Sequence, residues 1–313
     1  MQRSASAARG RAIPLERAPG AVRRALVVLK QSTVDRAERP DGLAGGRMRE
    51  LIRHDDHSVA EIRASHAEHT ASAREVRRRL RARGVHVTER TELPARPIRG
   101  YDLVVAVGGD GMVLGVSHAV RDDTPVLGVN SAPSFSVGFL SGCTAAGLDA
   151  TLDAFEAGRL RPVEVQRLQV RVGGQALGEP VLNDVLFCAD NPAMMSRYVL
   201  IWPDGEEVQR SSGVWVSTPA GSTSALASAG GPILPIAARQ FAFLVREPYA
   251  PPGVSVRYRS AVLDESQVLR IESRTLEASV FVDGTHRRRP VLFGEVLEVG
   301  LHPQPLHLVR QPR

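Results

Sequence analysis

Apolar and polar positions change rhythm near the middle of this 313-residue chain. In the first half, short apolar runs alternate with longer stretches of helical spacing. ALVVL at 25–29 predicts a buried strand, and a polar-apolar helical stretch runs from about Arg47 to Arg83, closed by Gly84. Val85–Val87, Leu103–Val107 and Val126–Val129 predict further strands, with helices after Gly111 and over Ala145–Ala157. Strands alternating with helices predict a doubly wound parallel sheet. From Val163 the period shortens to two, in VEVQRLQVRV, PVLNDVLFCA, SRYVLIW, SVRYRSAVL, QVLRIES, ASVFVDG, EVLEVG and LHLV. Turn residues such as Pro203-Asp204-Gly205 and Asp283-Gly284 separate these runs, which predicts a mostly antiparallel β part. The expected fold class is therefore α/β plus all-β. A flexible basic tail is expected over 1–20, an α/β domain over 21–150 and a β-rich domain over 151–313.

Composition narrows the partners. The formal net charge is +6, and Lys30 is the only lysine among 40 basic residues. An arginine and alanine excess of this kind reads as codon bias as much as a selected surface. Aromatic residues make up 4% of the chain, too few for the stacking platforms of single-stranded nucleic-acid binders. An anionic small molecule is the expected partner, with no nucleic acid and no membrane, because no apolar run is long enough to span one. Cys143 and Cys188 lie far apart and read as reduced structural thiols of a cytoplasmic protein. The tail, rich in Arg, Ala and Ser with the single acid Glu16, lacks the apolar core of a secretory signal.

Common catalytic signatures are missing. There is no G-x-x-x-x-G-K-[ST], no G-x-S-x-G and no H-E-x-x-H, and any lysine chemistry has to use Lys30. G-x-G-x-x-G fails because position 114 is leucine. His54, His57, His66 and His69 sit at i, i+3 pairs, and a solvated helix face is favoured there over a metal site.

Three segments survive the screen. Gly108-Gly109-Asp110-Gly111 follows a strand and opens a helix, the place where ligands bind in open α/β sheets. Its glycines permit close approach to phosphate, while Asp110 either activates a hydroxyl, holds magnesium or merely caps the helix. Asn183-Asp184 interrupts an apolar strand; a ribose diol or a β-bulge each accounts for the pair. Thr218 to Gly231 gathers hydroxyls and small side chains at a helix start, which suits a polar ligand more than mere close packing. Asp283-Gly284, followed by His286, Arg287, Arg288 and Arg289, reads as a solvated hairpin tip rather than a phosphate contact.

In this order, the three segments resemble the NAD kinase family over roughly residues 25–310. VLGVNS, RSSGVWVSTPAGSTSALASAGG and FLVREP look most like the plant-type NADH kinases. The resemblance implies transfer of the γ-phosphate of ATP, with Mg2+, to the 2′-hydroxyl of the adenosine ribose of NAD(H). It implies Asp110 as general base and Gly108, Gly109 and Gly111 as the phosphate loop. Asn183 and Asp184 would hold the ribose and adenine side, and Thr223, Ser224 and Ser228 would line the adenosine pocket. Arg210 and Ser212 would lie near the nicotinamide half, with Phe139 and Leu140 closing the cleft. It also implies at least a homodimer, with the dinucleotide site near the interface.

Departures from the family pattern accompany the resemblance. Met112 stands where the family usually has Thr, a lost hydroxyl worth about 1 kcal/mol. Ser212 replaces a common Asp, the pair is Asn-Asp rather than Asn-Glu, Ala225 replaces an aromatic, and the Asn130–Gly138 loop is longer than in most bacterial members. Two other readings are a lipid or sugar kinase of the wider GGDG superfamily and a non-catalytic NAD(P)-sensing module.

Overall fold

The structure, a computed structural model, describes residues 20–38, 43–54, 56–253, 255–284 and 287–311. The expected basic tail lies almost wholly outside the described residues, as does His286. The first half runs β1 (Arg24–Leu29), α1 (Thr33–Ala37), α2 (Leu43–Arg53), α3 (Ala60–Ala82), β2 (His86–Arg90), β3 (Leu103–Gly108), α4 (Asp110–Ser117), β4 (Val126–Asn130), β5 (Cys143–Thr144) and α5 (Leu148–Glu156). The single long helix expected from 47 to 83 is broken. Asp56 takes an extended backbone and accepts the N–H of Ser58, and that local cap starts a 3-10 turn ahead of α3.

Strands continue as β6 (Val163–Val165), β7 (Leu168–Val172), β8 (Gln175–Ala176), β9 (Asp184–Ala189), β10 (Ser196–Trp202), β11 (Gly205–Ser211) and β12 (Gly213–Ser217). A short α6 (Ala225–Ser228) precedes β13 (Gln240–Arg246), β14 (Ser260–Asp264), β15 (Leu269–Ser273), β16 (Ala278–Val282), β17 (Arg287–Val291), β18 (Val296–Leu301) and β19 (Leu306–Val309). The first sheet has the order β2-β1-β3-β4-β19-β6, with β5 paired to the end of β4. Its β1–β4 core is parallel, as the alternation predicts.

Two runs behave differently from expectation. LHLV does not join the antiparallel part; it enters the first sheet parallel to β4. VEVQRLQVRV splits between sheets, β6 pairing with β19 and β7 with β18. The break falls at Arg167, which is fully buried. Its guanidinium donates to the carbonyls of Ser117, which ends α4, and Val120 beyond it, and to those of Gln304 and Pro305 before β19. Five N–H donors in one planar fork can satisfy all of these buried acceptors at once. A strand-period pattern carries no signal for such a staple. Burial pulls the Arg167 guanidinium down to about 10.

Sheets β11-β10-β15-β18-β7-β8 and β14-β13-β12-β9-β16-β17 pack face to face, sharing a core that includes Leu168, Tyr198, Phe187, Val214 and Phe241. The first sheet buries both faces. Ala25, Val27 and Leu29 meet α3 and α5 through Val76, Leu80, Leu148 and Phe155. Leu26 and Val28 meet α4 through Val113 and Val116, together with Leu182 and Ala220 from the β-rich part. Successive strand residues point to opposite faces, so one apolar run serves both layers. Leu182 and Ala220 thus dock the β-rich part on the α4 side of the sheet.

The four histidines do not form one solvated face. His57 is exposed, whereas His66 Nδ1 lies 2.8 Å from Ser32 Oγ. His69 is buried, with Nε2 2.9 Å from the carbonyl of Lys30 and Nδ1 2.8 Å from Ser131 Oγ. A carbonyl acceptor requires the proton on Nε2, leaving Nδ1 to accept from the serine. Burial lowers the His69 pKa below the ordinary value, consistent with a neutral ring. Helical spacing reports which residues share a face, but not that β1 and β4 end against it.

Cys143 and Cys188 are free thiols. Burial pushes Cys143 up to about 11 and also raises Cys188, so both are poor nucleophiles.

Candidate active site

The parallel order places β1 and β3 side by side, with the chain leaving to β2 on one flank and to β4 on the other. The carboxyl ends of β1 and β3 therefore face the crevice at the topological switch point. Gly108 closes β3 there, Gly109 caps α4 without a side chain, and Asp110 and Gly111 begin the helix. A Cβ on Gly108 would collide with Met112 Cγ and sit 3.0 Å from Lys30 Cβ, so only glycine fits the close approach of these loops. A Cβ on Gly111 meets nothing, and α4 has no side-chain cap; the Met112 N–H folds back onto the Gly109 carbonyl at 2.9 Å, and the N–H groups ahead of it at the helix start are the ones placed to meet an anion.

Asp110 is not the helix cap its position allowed. Its two carboxylate oxygens reach across the crevice, Oδ2 accepting the N–H of Phe139 at 2.9 Å and Oδ1 that of Leu140 at 2.7 Å. Each oxygen keeps a second lone pair for a substrate. Asn130 shapes the loop that returns these amides: its Nδ2 donates to the carbonyl of Ser136 and its Oδ1 accepts from Ala132. Met112 turns its side chain onto Gly108 and into the α4-side core. It supports the turn by packing, and it offers no hydroxyl.

Asn183 and Asp184 meet Ser224. Asn183 Nδ2 donates to Asp184 Oδ2 at 2.8 Å and to Ser224 Oγ at 3.2 Å. Hydroxyls of Ser217 and Thr218 hold the backbone carbonyls of Asn183 and Leu182. A Cβ on Gly221 would collide with the Asn183 carbonyl oxygen, so glycine lets the hydroxyl-rich segment lie directly on the pair. Leu182 and Ala220, flanking this cluster, share one core with Met112, Phe139 and Leu140, which brings the second and third segments to the Asp110 crevice. Thr223 and Ser228 lie exposed on the same segment.

Arg210 and Ser212 are not gathered with them. The register pairs Asp184 with Ser217, and Ser212 lies five residues back, just ahead of β12, about 15 Å at strand spacing. Arg210 is exposed on β11, opposite Arg197.

One residue read as a solvated turn is instead central. The side chain of Asp283 is 1% exposed. Its Oδ1 accepts the backbone N–H groups of Asn183 at 2.8 Å and Asp184 at 3.1 Å, and its Oδ2 accepts those of Leu182 at 3.1 Å and His118 Nε2 at 2.6 Å. Its φ of 45° is left-handed, a conformation that Asp and Asn tolerate better than most. The Asp-Gly turn signal located the bend but not its direction. The neighbouring arginines point elsewhere, Arg287 to Glu179 and Arg288 to Asp190.

Asp184 is 5% exposed, and burial, reinforced by the nearby Asp283 charge, pushes its carboxyl up to about 6 from 3.8. The folded protein thus holds a proton on Asp184 between about pH 4 and 6 that the unfolded chain has released. Stability falls as pH rises through that window. The ionised form costs on the order of 3 kcal/mol at neutral pH. Asp184→Asn is therefore expected to raise the thermal midpoint at pH 7 and to lose that advantage near pH 4. Calorimetry at the two pH values checks this; an equal or lower midpoint at pH 7 contradicts it.

A strand-to-helix glycine turn with a bridging carboxylate, facing a half-buried Asn-Asp-Ser cluster, defines a nucleotide-binding α/β protein with a second, β-rich half. The chain belongs to the NAD kinase family. It matches the family profile described as "ATP-NAD kinase N-terminal domain" over residues 46–160 and "ATP-NAD kinase C-terminal domain" over 171–311. It is 34% identical over 226 residues to a probable NADH kinase of Oryza sativa subsp. japonica, covering 66% of this chain and 70% of that protein. The crystal structure of an NAD kinase from Archaeoglobus fulgidus in complex with ATP superposes with a TM-score of 0.61 at 21% identity, over 92% of this chain and 93% of that one. Yeast NADH kinase complexed with NADH gives 0.65 at 18% identity, over 94% and 84%.

Proposed function

We propose that this protein is an ATP-dependent kinase that phosphorylates the 2′-hydroxyl of the adenosine ribose of NAD+, NADH or both, giving NADP(H). The observation that carries the reading is the Asp110 carboxylate, fixed by two backbone N–H groups beside the phosphate loop and opposite the Asn183-Asp184-Ser224 cluster. Asp110 accepts the 2′-hydroxyl proton as the hydroxyl attacks the γ-phosphorus. Asn183 and Asp184 hold the ribose and adenine side, and Thr223, Ser224 and Ser228 border the adenosine. Phe139 and Leu140 close the cleft while holding Asp110.

Among the described residues no three His, Cys, Asp or Glu side chains gather to cage a metal. Mg2+ needs only one or two carboxylates once it arrives on substrate phosphates, and Asp110 is the carboxylate at the loop, so the donor set fits such an ion. Bound there, it would neutralise charge on the phosphates. No described helix is long and apolar enough to cross a membrane. A cytoplasmic homodimer belongs to the same reading. Val208 is 77% exposed on edge strand β11, two residues from Arg210. Pairing at that edge would let Arg210 and Ser212 of one protomer approach the nicotinamide half held by its partner.

The test incubates the full chain with ATP, Mg2+ and either NAD+ or NADH, and assays NADP(H). Product from at least one acceptor is expected. Nucleotide binding without product from either would replace this reading with a non-catalytic sensor.

A further inference from the structure

At the end of α4 away from Asp110, residues of both halves of the chain line a cavity of about 280 Å3. His118, on its wall, directly follows α4, about 12 Å along the helix from Asp110. Leu93, Pro94 and Pro97 form an apolar side, from the loop that leads into β3. Gly115 admits that loop, because a Cβ there would lie 2.6 Å from Leu93 Cδ1. The Ile98 N–H donates to the Ala119 carbonyl at 2.9 Å and fixes the far end of the loop. The cavity is a little below the usual range for ligand sites, with room for a small metabolite and not for a nucleotide.

Three arginines and one carboxylate line it: Arg96 from the loop, Arg121 beyond α4, Arg287 at the start of β17, and Glu179 between β8 and β9. Arg287 pairs with Glu179 through one oxygen, and its fork keeps further donors. Among the described residues, Arg121 Nε is buried with no hydrogen-bond partner, and so is Glu179 Oε2. Buried polar atoms are normally paired, so this cavity holds both an unmet donor and an unmet acceptor. Burial lowers the Arg121 pKa, and the Glu179 charge offsets this only in part. His118 is engaged, its Nε2 lying 2.6 Å from Asp283 Oδ2. Carbonyls at a helix end repel anions, but those of Ser117 and Val120 are taken by Arg167 and that of Ala119 by Ile98.

A tetrahedral phosphate accepts guanidinium forks from several directions, whereas a planar carboxylate is filled by one or two. Arginines from three separate elements suit the phosphate. Glu179 Oε2 adds an acceptor that a phosphate dianion cannot use and a hydroxyl can. We infer that this cavity binds a small hydroxylated phosphate monoester, its phosphate on Arg96, Arg121 and Arg287 and a hydroxyl donating to Glu179. Leu93, Pro94 and Pro97 cover its carbon chain. The site stands apart from the Asp110 crevice and does not depend on the kinase reading.

The test titrates the full-length chain with glycerol 3-phosphate in phosphate-free buffer, read by calorimetry. Saturable binding is expected. Arg121→Ala weakens it at least about tenfold, the loss of a charge-assisted contact. Ala95→Trp, which fills the cavity from an exposed position on the loop and keeps all three arginines, weakens it to a similar extent. Neither variant removes a hydrogen bond of the fold, so both are expected to melt as the wild type does. Propyl phosphate, with the same charge and no hydroxyl, binds at least about threefold more weakly. No binding of glycerol 3-phosphate, or binding unchanged in both variants, would overturn the site; the second result would move the ester to another part of the molecule, such as the phosphate loop. Equal affinity for the two esters would overturn the contact with Glu179 and the ligand class with it.

Discussion

Asp110→Asn is expected to lower turnover by about 100- to 10,000-fold, the usual contribution of a positioned general base. The geometry also predicts a second, smaller effect. Each carboxylate oxygen accepts one backbone N–H, from Phe139 and Leu140. An asparagine side chain must turn its NH2 toward one of these donors, so one bond is lost and one amide is left facing another donor, a cost of about 1–3 kcal/mol. The 139–140 loop should loosen, and NAD(H) affinity should fall modestly, by less than about tenfold, against the much larger loss in kcat. Steady-state kinetics with a parallel NADH fluorescence titration separate the two. Near-normal kcat in the variant refutes the base assignment. Equal losses in affinity and turnover would make Asp110 a loop anchor rather than a base.

Asp283 should matter nearly as much, through structure. Asp283→Ala removes the acceptor for three backbone N–H groups and for His118. Leaving such buried donors unsatisfied costs about 1–3 kcal/mol each. A loss of several kcal/mol is a large share of the stability of an ordinary domain, and this variant is expected to fold poorly. Asp283→Asn tolerates the left-handed backbone but cannot satisfy all four donors in either amide orientation. It is expected to fold with a reduced thermal midpoint and to bind NAD(H) at least about tenfold more weakly, because the backbone that aims Asn183 and Asp184 loses its clamp.

A pH profile distinguishes this role from a purely structural one. Burial raises the Asp184 carboxyl to about 6, and the Asp283 charge adds to the rise. Removing that charge lowers the Asp184 pKa, so the acid limb of NADH binding, expected near pH 6 in the wild type, should move to lower pH. An Asp283→Asn protein with wild-type affinity and an unmoved acid limb would return Asp283 to the role of a turn residue.

The three candidate segments were legible because each breaks a local rule: glycines and an acid at a strand end, an amide and an acid inside an apolar strand, and small hydroxylated residues at a helix start. Their residue types narrow the chemistry without any partner being known. Asp110, Asn183, Asp184 and Ser224 are brought to the crevice from those segments.

What the sequence determined by itself was the alternation of elements in the first half, the two-residue period of the second and the three candidate segments with their polar side chains. All of these depend on spacing within one segment. Tertiary structure alone decided that Asp110 reaches to amides 29 and 30 residues away, that Asp283 turns inward to clamp Asn183-Asp184 and that His69 is buried against Lys30 and Ser131. It also decided that LHLV leaves the β-rich part to pair with β4. Each of these is a long-range pairing in which a polar group or a strand edge finds its partner only after the chain has closed on itself. Local periodicity carries no information about which distant donor will be there.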